Sequence, residues 1–245
     1  MNLDKLRDYE KKVYEILFMP IVPVNRKNEK PFINSENIIE TGEIYIPENS
    51  RSLGCLDADM SDIAILFYET IYSVMILKEY RKALFDKNVA RKSDIRRPNN
   101  SNFLGDTMIT SFKKEIPNYH CLANFWILPG KIGRELTHNL SRGRKNSLND
   151  KMDLFLKDLK KKECEYKEEF PQYFKEFDLE PNKTFYSKHF LYNSFIDKNG
   201  EIISIDSVDD AKNAISKRAY EIAKAKGEEL YSLFDELKFI NLKKI

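Results

Sequence analysis

A chain of 245 residues with 42% hydrophobic and 12% aromatic residues has the apolar side chains to bury a core, which counts against intrinsic disorder. Its 41 basic and 39 acidic residues nearly cancel, so the chain is neither globally polybasic nor polyacidic. Three cysteines, Cys55, Cys121 and Cys164, form an odd set with no paired spacing, which argues against a disulfide framework or a cysteine zinc site.

In chain order, Leu3, Leu6, Tyr9, Val13, Ile16 and Leu17 recur at helical spacing and predict an amphipathic helix over 3–18, stopped by Pro20 and Pro23. A short strand is expected over 42–47. Ser61 with Asp62 supplies an N-cap hydroxyl and a first-turn acid ahead of a long apolar run, predicting a central helix from 61 to about Asp86. Residues 87–103 read as a basic, Asn-rich connector and 106–114 as a helix. The apolar run Tyr119–Leu128 fits either a short helix or a buried strand, since periodicity does not decide between them. A helix is expected to start at Ser147 and turn Met152, Leu154, Phe155, Leu156 and Leu159 inward, followed by a charged stretch that Pro171 breaks. Phe185–Phe195 reads as helix, Lys198–Glu201 as a turn before an edge strand or hairpin arm at Ile202–Ile205, and Ser207 as the cap of a long C-terminal helix. The fold class expected is mainly α, a multi-helix single domain over 1–245 with one or two short strands or a hairpin. Residues 1–60 belong either to the main core or to a loosely packed extension.

The N-terminus carries acids where a secretory leader would turn apolar, and the longest apolar helix candidate, 63–77, contains Glu69 and is too short to span a bilayer. A soluble, cytoplasmic protein with no membrane partner is the expectation. The richness in Lys, Asn, Ile, Phe and Tyr, with only 8 Gly, is similar to that of bacterial proteins from AT-rich genomes.

Charge is unevenly distributed. Residues 87–145 hold 12 Lys/Arg against 4 Asp/Glu, a net of +8, leaving a net of −6 on the remainder. Such separation can focus a field on a polyanion, provided that the bases at 87–97 and at 131–145 do not face different directions. Arg142, Arg144 and Lys145 around Gly143 offer forked donors beside a close-approach backbone, the parts that hold a phosphate, and the same residues would also make a solvated interhelical turn. No P-loop string is present. Candidate phosphate-contacting residues are Arg91, Lys92, Arg96, Arg97, Arg142, Arg144 and Lys145.

Candidate catalytic groups are His120, His138, Asp106 and Asp150. His120 adjoins Cys121, a pairing that can activate a thiolate, but Cys121 lies inside an apolar run and reads as core. His189 has the ordinary reading of a lone histidine. Asp57, Asp59 and Asp62, three acids in six residues, could bind a magnesium ion with water in the remaining positions, but they match no calcium loop and read as a cap and solvated acids, so no metal ligand set is assigned and the cofactor is left open.

His120–Pro129, then Arg142-Gly143, then Asn149–Leu156 resemble a pattern in uncharacterised bacterial proteins of a domain-of-unknown-function type. In it, a His-x-x-Gly-Asn-Phe segment ending in Leu-Pro precedes an Arg-Gly and an Asp-bearing helix. Ala123 stands where that pattern usually has glycine, and the resemblance carries no activity. The same block is similar to the second half of the HNH-like domain of DNA-cleaving restriction enzymes. Their upstream half, an acid followed by a metal-liganding histidine and a proline, has no counterpart: 106–118 supply Asp106, Glu115 and Pro117 but no histidine. Without that ligand a one-metal nuclease site lacks its anchor.

Three functions follow as expectations. The first is a polyanion-binding helical protein, with nucleic acid as partner, using a basic face in 87–145. The second is a metal-assisted phosphodiesterase using His120 or His138 with Asp106 or Asp150. The third is a non-catalytic protein-interaction module.

Overall fold

The computed structural model describes residues 2–24, 38–39, 43–47, 61–73, 77–79, 81–82, 104–109, 115–116, 119–128, 151–177 and 184–237. The architecture is mainly α. Helix α1 (Asp8–Leu17) opens with Glu10 folded back on Arg7: its carboxylate accepts the Arg7 backbone N–H at 2.7 Å and the guanidinium Nε–H at 2.9 Å. Val13, Ile16 and Leu17 go to the core. Three short strands follow, β1 (Ile21–Val24), β2 (Ile38–Ile39) and β3 (Glu43–Pro47), with β3 central, parallel to β1 and antiparallel to β2.

Helix α2 (Asp62–Tyr72) starts as its sequence demands, with Ser61 Oγ accepting the Ala64 N–H at 3.3 Å, and every one of its residues is buried. It ends far short of Asp86. Ser73 turns left-handed (φ 56°) and gives its N–H to Glu69 O at 2.7 Å, a helix stop made by backbone conformation that no Gly or Pro announces. Helical turns resume at 77–79 and 81–82, where Arg81 bridges Glu69 and Glu236 at 2.9 Å each.

A second sheet pairs β4 (Leu104–Thr107) antiparallel with β5 (Phe125–Leu128), from Leu104 opposite Leu128 to Thr107 opposite Phe125. The helix expected to begin at Asp106 is therefore a strand at its start. The non-local partner β5 takes up the backbone hydrogen bonds, which overrides local propensity. The ambiguous run at 119–128 resolves into a 3₁₀ turn (Leu122–Asn124) and then buried strand β5.

Helices α3 (Lys151–Lys161), α4 (Glu163–Glu169) and α5 (Pro171–Glu176) follow in quick succession. Phe155, Leu156 and Leu159 are buried as the periodicity predicts. Pro171 sits in the first turn of α5, where its missing N–H costs nothing.

The helix expected over 185–195 is only α6 (Thr184–Lys188). Phe190 adopts φ 58°, the Leu191 N–H reaches back to Tyr186 O (2.8 Å) and the Phe190 N–H to Ser187 O (3.1 Å), a complete Schellman stop with His189 as the capping residue. Ile202 forms an isolated bridge to Ile196, which is what remains of the expected edge strand. Helix α7 (Val208–Glu236) is capped by Ser207 Oγ accepting the Asp210 N–H at 3.1 Å. It kinks at Lys226 (φ −129°), beside Gly227, where α1 lies so close that a Cβ on Gly227 would stand 2.8 Å from Glu10 Cγ. One apolar cluster joins residues of α1, α2, β5, α3, α5, α6 and α7. Among the described residues, no helix is long and apolar enough to cross a membrane.

Candidate functional site

Of the sequence-derived candidates, two fall on described residues. Asp106 is in β4, opposite Trp126. His120 is half-buried, its ring on that of Tyr119 with centroids 3.9 Å apart, and its carbonyl accepts the Ile21 N–H at 2.6 Å. His138, Asp150, Arg91, Lys92, Arg96, Arg97, Arg142, Arg144 and Lys145 lie outside the described residues, as do Asp57 and Asp59. Among the described residues, no group of three or more His, Cys, Asp or Glu side chains is arranged to hold a metal ion. Cys121 is core: burial pushes its thiol up to about 12, so the thiolate needed of a nucleophile does not form near neutrality. Trp126 is also fully buried.

Among the described residues, the densest polar chemistry lies where sequence patterns give little warning, around His189 and Arg218. Both are fully buried. The chain stop at Phe190 fixes His189 at the end of α6 and leaves its carbonyl without a helical partner; Arg218 Nε–H takes it at 2.9 Å. Nη1 of the same guanidinium donates to Ala123 O (2.6 Å) and Phe125 O (2.9 Å), so a single α7 side chain ties the 3₁₀ turn, the start of β5 and the end of α6 together. Among the described residues, Nη2 of Arg218 and Nε1 of Trp126 are buried donors with no hydrogen-bond partner.

The protons around the imidazole follow from the partners. Tyr173 donates its hydroxyl to Ile127 O at 2.9 Å, so His189 Nε2, 3.2 Å from the same oxygen, must be the donor there. Burial favours the neutral ring, in which Nδ1 is then the acceptor and the Tyr72 hydroxyl donates to it at 2.7 Å. The result is a neutral ring with both nitrogens engaged. Burial, reinforced by the nearby Arg218 cation, holds His189 well below the usual histidine range. Burial also raises both phenols: Arg218 favours an ionised Tyr72, but desolvation wins. The rings of Tyr72 (5.2 Å), Trp126 (5.8 Å) and Phe185 (4.3 Å) surround the imidazole.

The chain matches no protein-family model, no curated protein and no solved structure.

A second polar brace supports the same turn. Asn124, fully buried, accepts the Ile109 N–H at its Oδ1 (3.0 Å) and donates from Nδ2 to Ile109 O (3.0 Å) and Tyr119 O (2.7 Å). Asn124 and Arg218 thus fix the segment from Tyr119 to Leu128 from two sides. Neither His189, with both ring nitrogens occupied, nor Arg218, with three carbonyls on it, is poised to act on a substrate; the pair anchors segments. One sequence signal for it existed. Arg218 interrupts the apolar stripe Ala211, Ala214, Ile215, Ala219, Ile222 of α7, a cation where helical spacing requires the core.

Proposed function

We propose that the protein binds a polyanion, nucleic acid in the first instance, through the basic residues of 87–145. The separation of charge carries this reading: a net of +8 on that stretch against −6 on the rest. The sheet register supports it. Leu104 and Leu128 are direct partners, so the chain enters β4 and leaves β5 at the same end of the sheet. Arg97 stands seven residues before Leu104 and Lys131 three residues after Leu128, while Arg142, Arg144 and Lys145 come 14 to 17 residues after it. The two basic runs, far apart in sequence, are therefore joined to strand ends that pair with each other. Arg91, Lys92, Arg96, Arg97, Arg142, Arg144 and Lys145 would contact phosphates. Of the two residues that could stack a base, Trp126 is buried and has no part in the reading, and Tyr119 is half-buried with its ring against His120.

The test is a fluorescence-anisotropy titration against labelled single- and double-stranded DNA and RNA at two salt concentrations, with the Arg142→Glu/Arg144→Glu variant alongside. If about six or more phosphates are engaged, affinity should fall by roughly 10³-fold between about 50 and 200 mM salt through counterion release. The variant should lose most of the binding and its salt slope should flatten. Binding that ignores salt, or that survives the double charge reversal, would overturn the proposal.

A further inference from the structure

His189 sits in a cage that accepts only the neutral ring. The groups facing it are the Tyr72 hydroxyl from α2, the Tyr173 hydroxyl from α5, the Arg218 guanidinium from α7, and the rings of Trp126 and Phe185. Among the described residues no carboxylate acts on it, while a buried cation holds its own carbonyl at 2.9 Å. A proton on Nδ1 would aim an N–H at the Tyr72 oxygen, which now donates to that nitrogen, and would set a second buried cation beside Arg218. The segment bearing His189 is short of regular structure. After α6 it turns through left-handed Phe190 (φ 58°) and Asn193 (φ 63°) and is held by local turns and bridges.

We infer that His189 is an acid-sensitive latch: as the neutral ring it fastens residues 184–196 onto α2, α5 and α7, and in mild acid it takes a proton from solvent when that segment opens, so this segment opens ahead of the rest of the fold. The sign follows from which state binds the proton. The open segment carries a histidine of ordinary basicity and the closed one excludes the proton, so falling pH draws the equilibrium toward opening. With an open-state pKa of about 6.5, the open population should rise about thirty-fold between pH 7.5 and pH 5.0.

Hydrogen–deuterium exchange of the full chain, read by peptide across this pH range and corrected for intrinsic amide exchange, measures the effect. Peptides covering 184–196 should lose protection about thirty-fold while those of α1 and the second half of α7 hold theirs, and His189→Gln should abolish the difference. Loss of protection that is uniform across the chain, or that persists in His189→Gln, would overturn the latch. Should that variant fail to fold, the imidazole ¹⁵N shifts of the wild-type chain decide. A neutral Nε2–H ring that persists while 184–196 begins to exchange supports the latch, and a ring that titrates near pH 6.5 with the segment still protected refutes it.

Discussion

Replacing Arg218 by lysine tests the interior clamp with its charge held constant. The guanidinium satisfies the carbonyls of His189, Ala123 and Phe125 at 2.6–2.9 Å. A lysine ammonium is a compact donor without the planar fork; Ala123 O and Phe125 O already share one nitrogen, so it keeps at most these two and loses His189 O, while remaining just as desolvated. At least one core carbonyl loses a charged donor, a destabilisation of no less than about 1.5–3 kcal/mol. Arg218→Met breaks all three bonds but also removes the buried charge, whose desolvation costs several kcal/mol, so it should be no less stable than Arg218→Lys despite losing more contacts. Urea unfolding followed by the fluorescence of Trp126, the one tryptophan, reads both. At a slope of about 3 kcal/mol per molar, Arg218→Lys should lower the midpoint by at least about 0.5–1 M. A lysine variant within about 0.5 kcal/mol of wild type would refute the clamp. A methionine variant far less stable than the lysine one would show that desolvation of the charge is not the larger effect.

Two further outcomes are expected. Gly227→Ala should lower the melting temperature, because its Cβ would meet Glu10 Cγ at 2.8 Å and Tyr9 Cε2 at 3.3 Å, and Glu10 is tied to Arg7 and has little room to move. The expected loss of up to about 2 kcal/mol is opposite in sign to alanine's helix-propensity advantage, and a variant that melts higher than wild type would contradict it. Cys121, buried and with its thiol pushed up to about 12, should resist iodoacetamide in the native state near pH 8, whereas exposed Cys164 is labelled, as intact-protein and peptide mass spectrometry would show; alkylation of both at equal rates would mean that the Cys121 pocket opens freely.

Local chemistry is what the sequence makes legible. Ser61 and Ser207 announce their helices because a cap needs only one hydroxyl and the next three residues, and both make the expected bond. Phe155, Leu156 and Leu159 face inward because helical period alone selects them. Expectation and structure part where the deciding partner is distant or the backbone takes a rare turn. β4 is a strand because of β5, some twenty residues on, and α2 and α6 end at left-handed Ser73 and Phe190, residues that seldom carry that conformation. The His189 network joins residues 117, 29 and 16 positions apart, a separation at which spacing rules say nothing. Arg218 within an apolar helical stripe is the one clue to it. The basic candidates can be found by counting charge, and the register of Leu104 with Leu128 adds that the strand ends nearest them in sequence are paired, which no count contains.

The position of α7 sets a timetable for synthesis. The apolar face of α1 packs chiefly on α7, and α2 and the 3₁₀ turn before β5 also lean on it. About 190 residues separate the end of α1 from the start of α7, so at 5–20 residues per second α1 waits roughly 10–40 s for its main cover. Throughout that interval Val13, Ile16 and Leu17 lack their main neighbour, and the nascent chain presents a sticky helix to whatever chaperone or sister chain passes. Yield in the cell should therefore respond to translation speed and to chaperone supply more than the equilibrium stability of the finished fold would suggest.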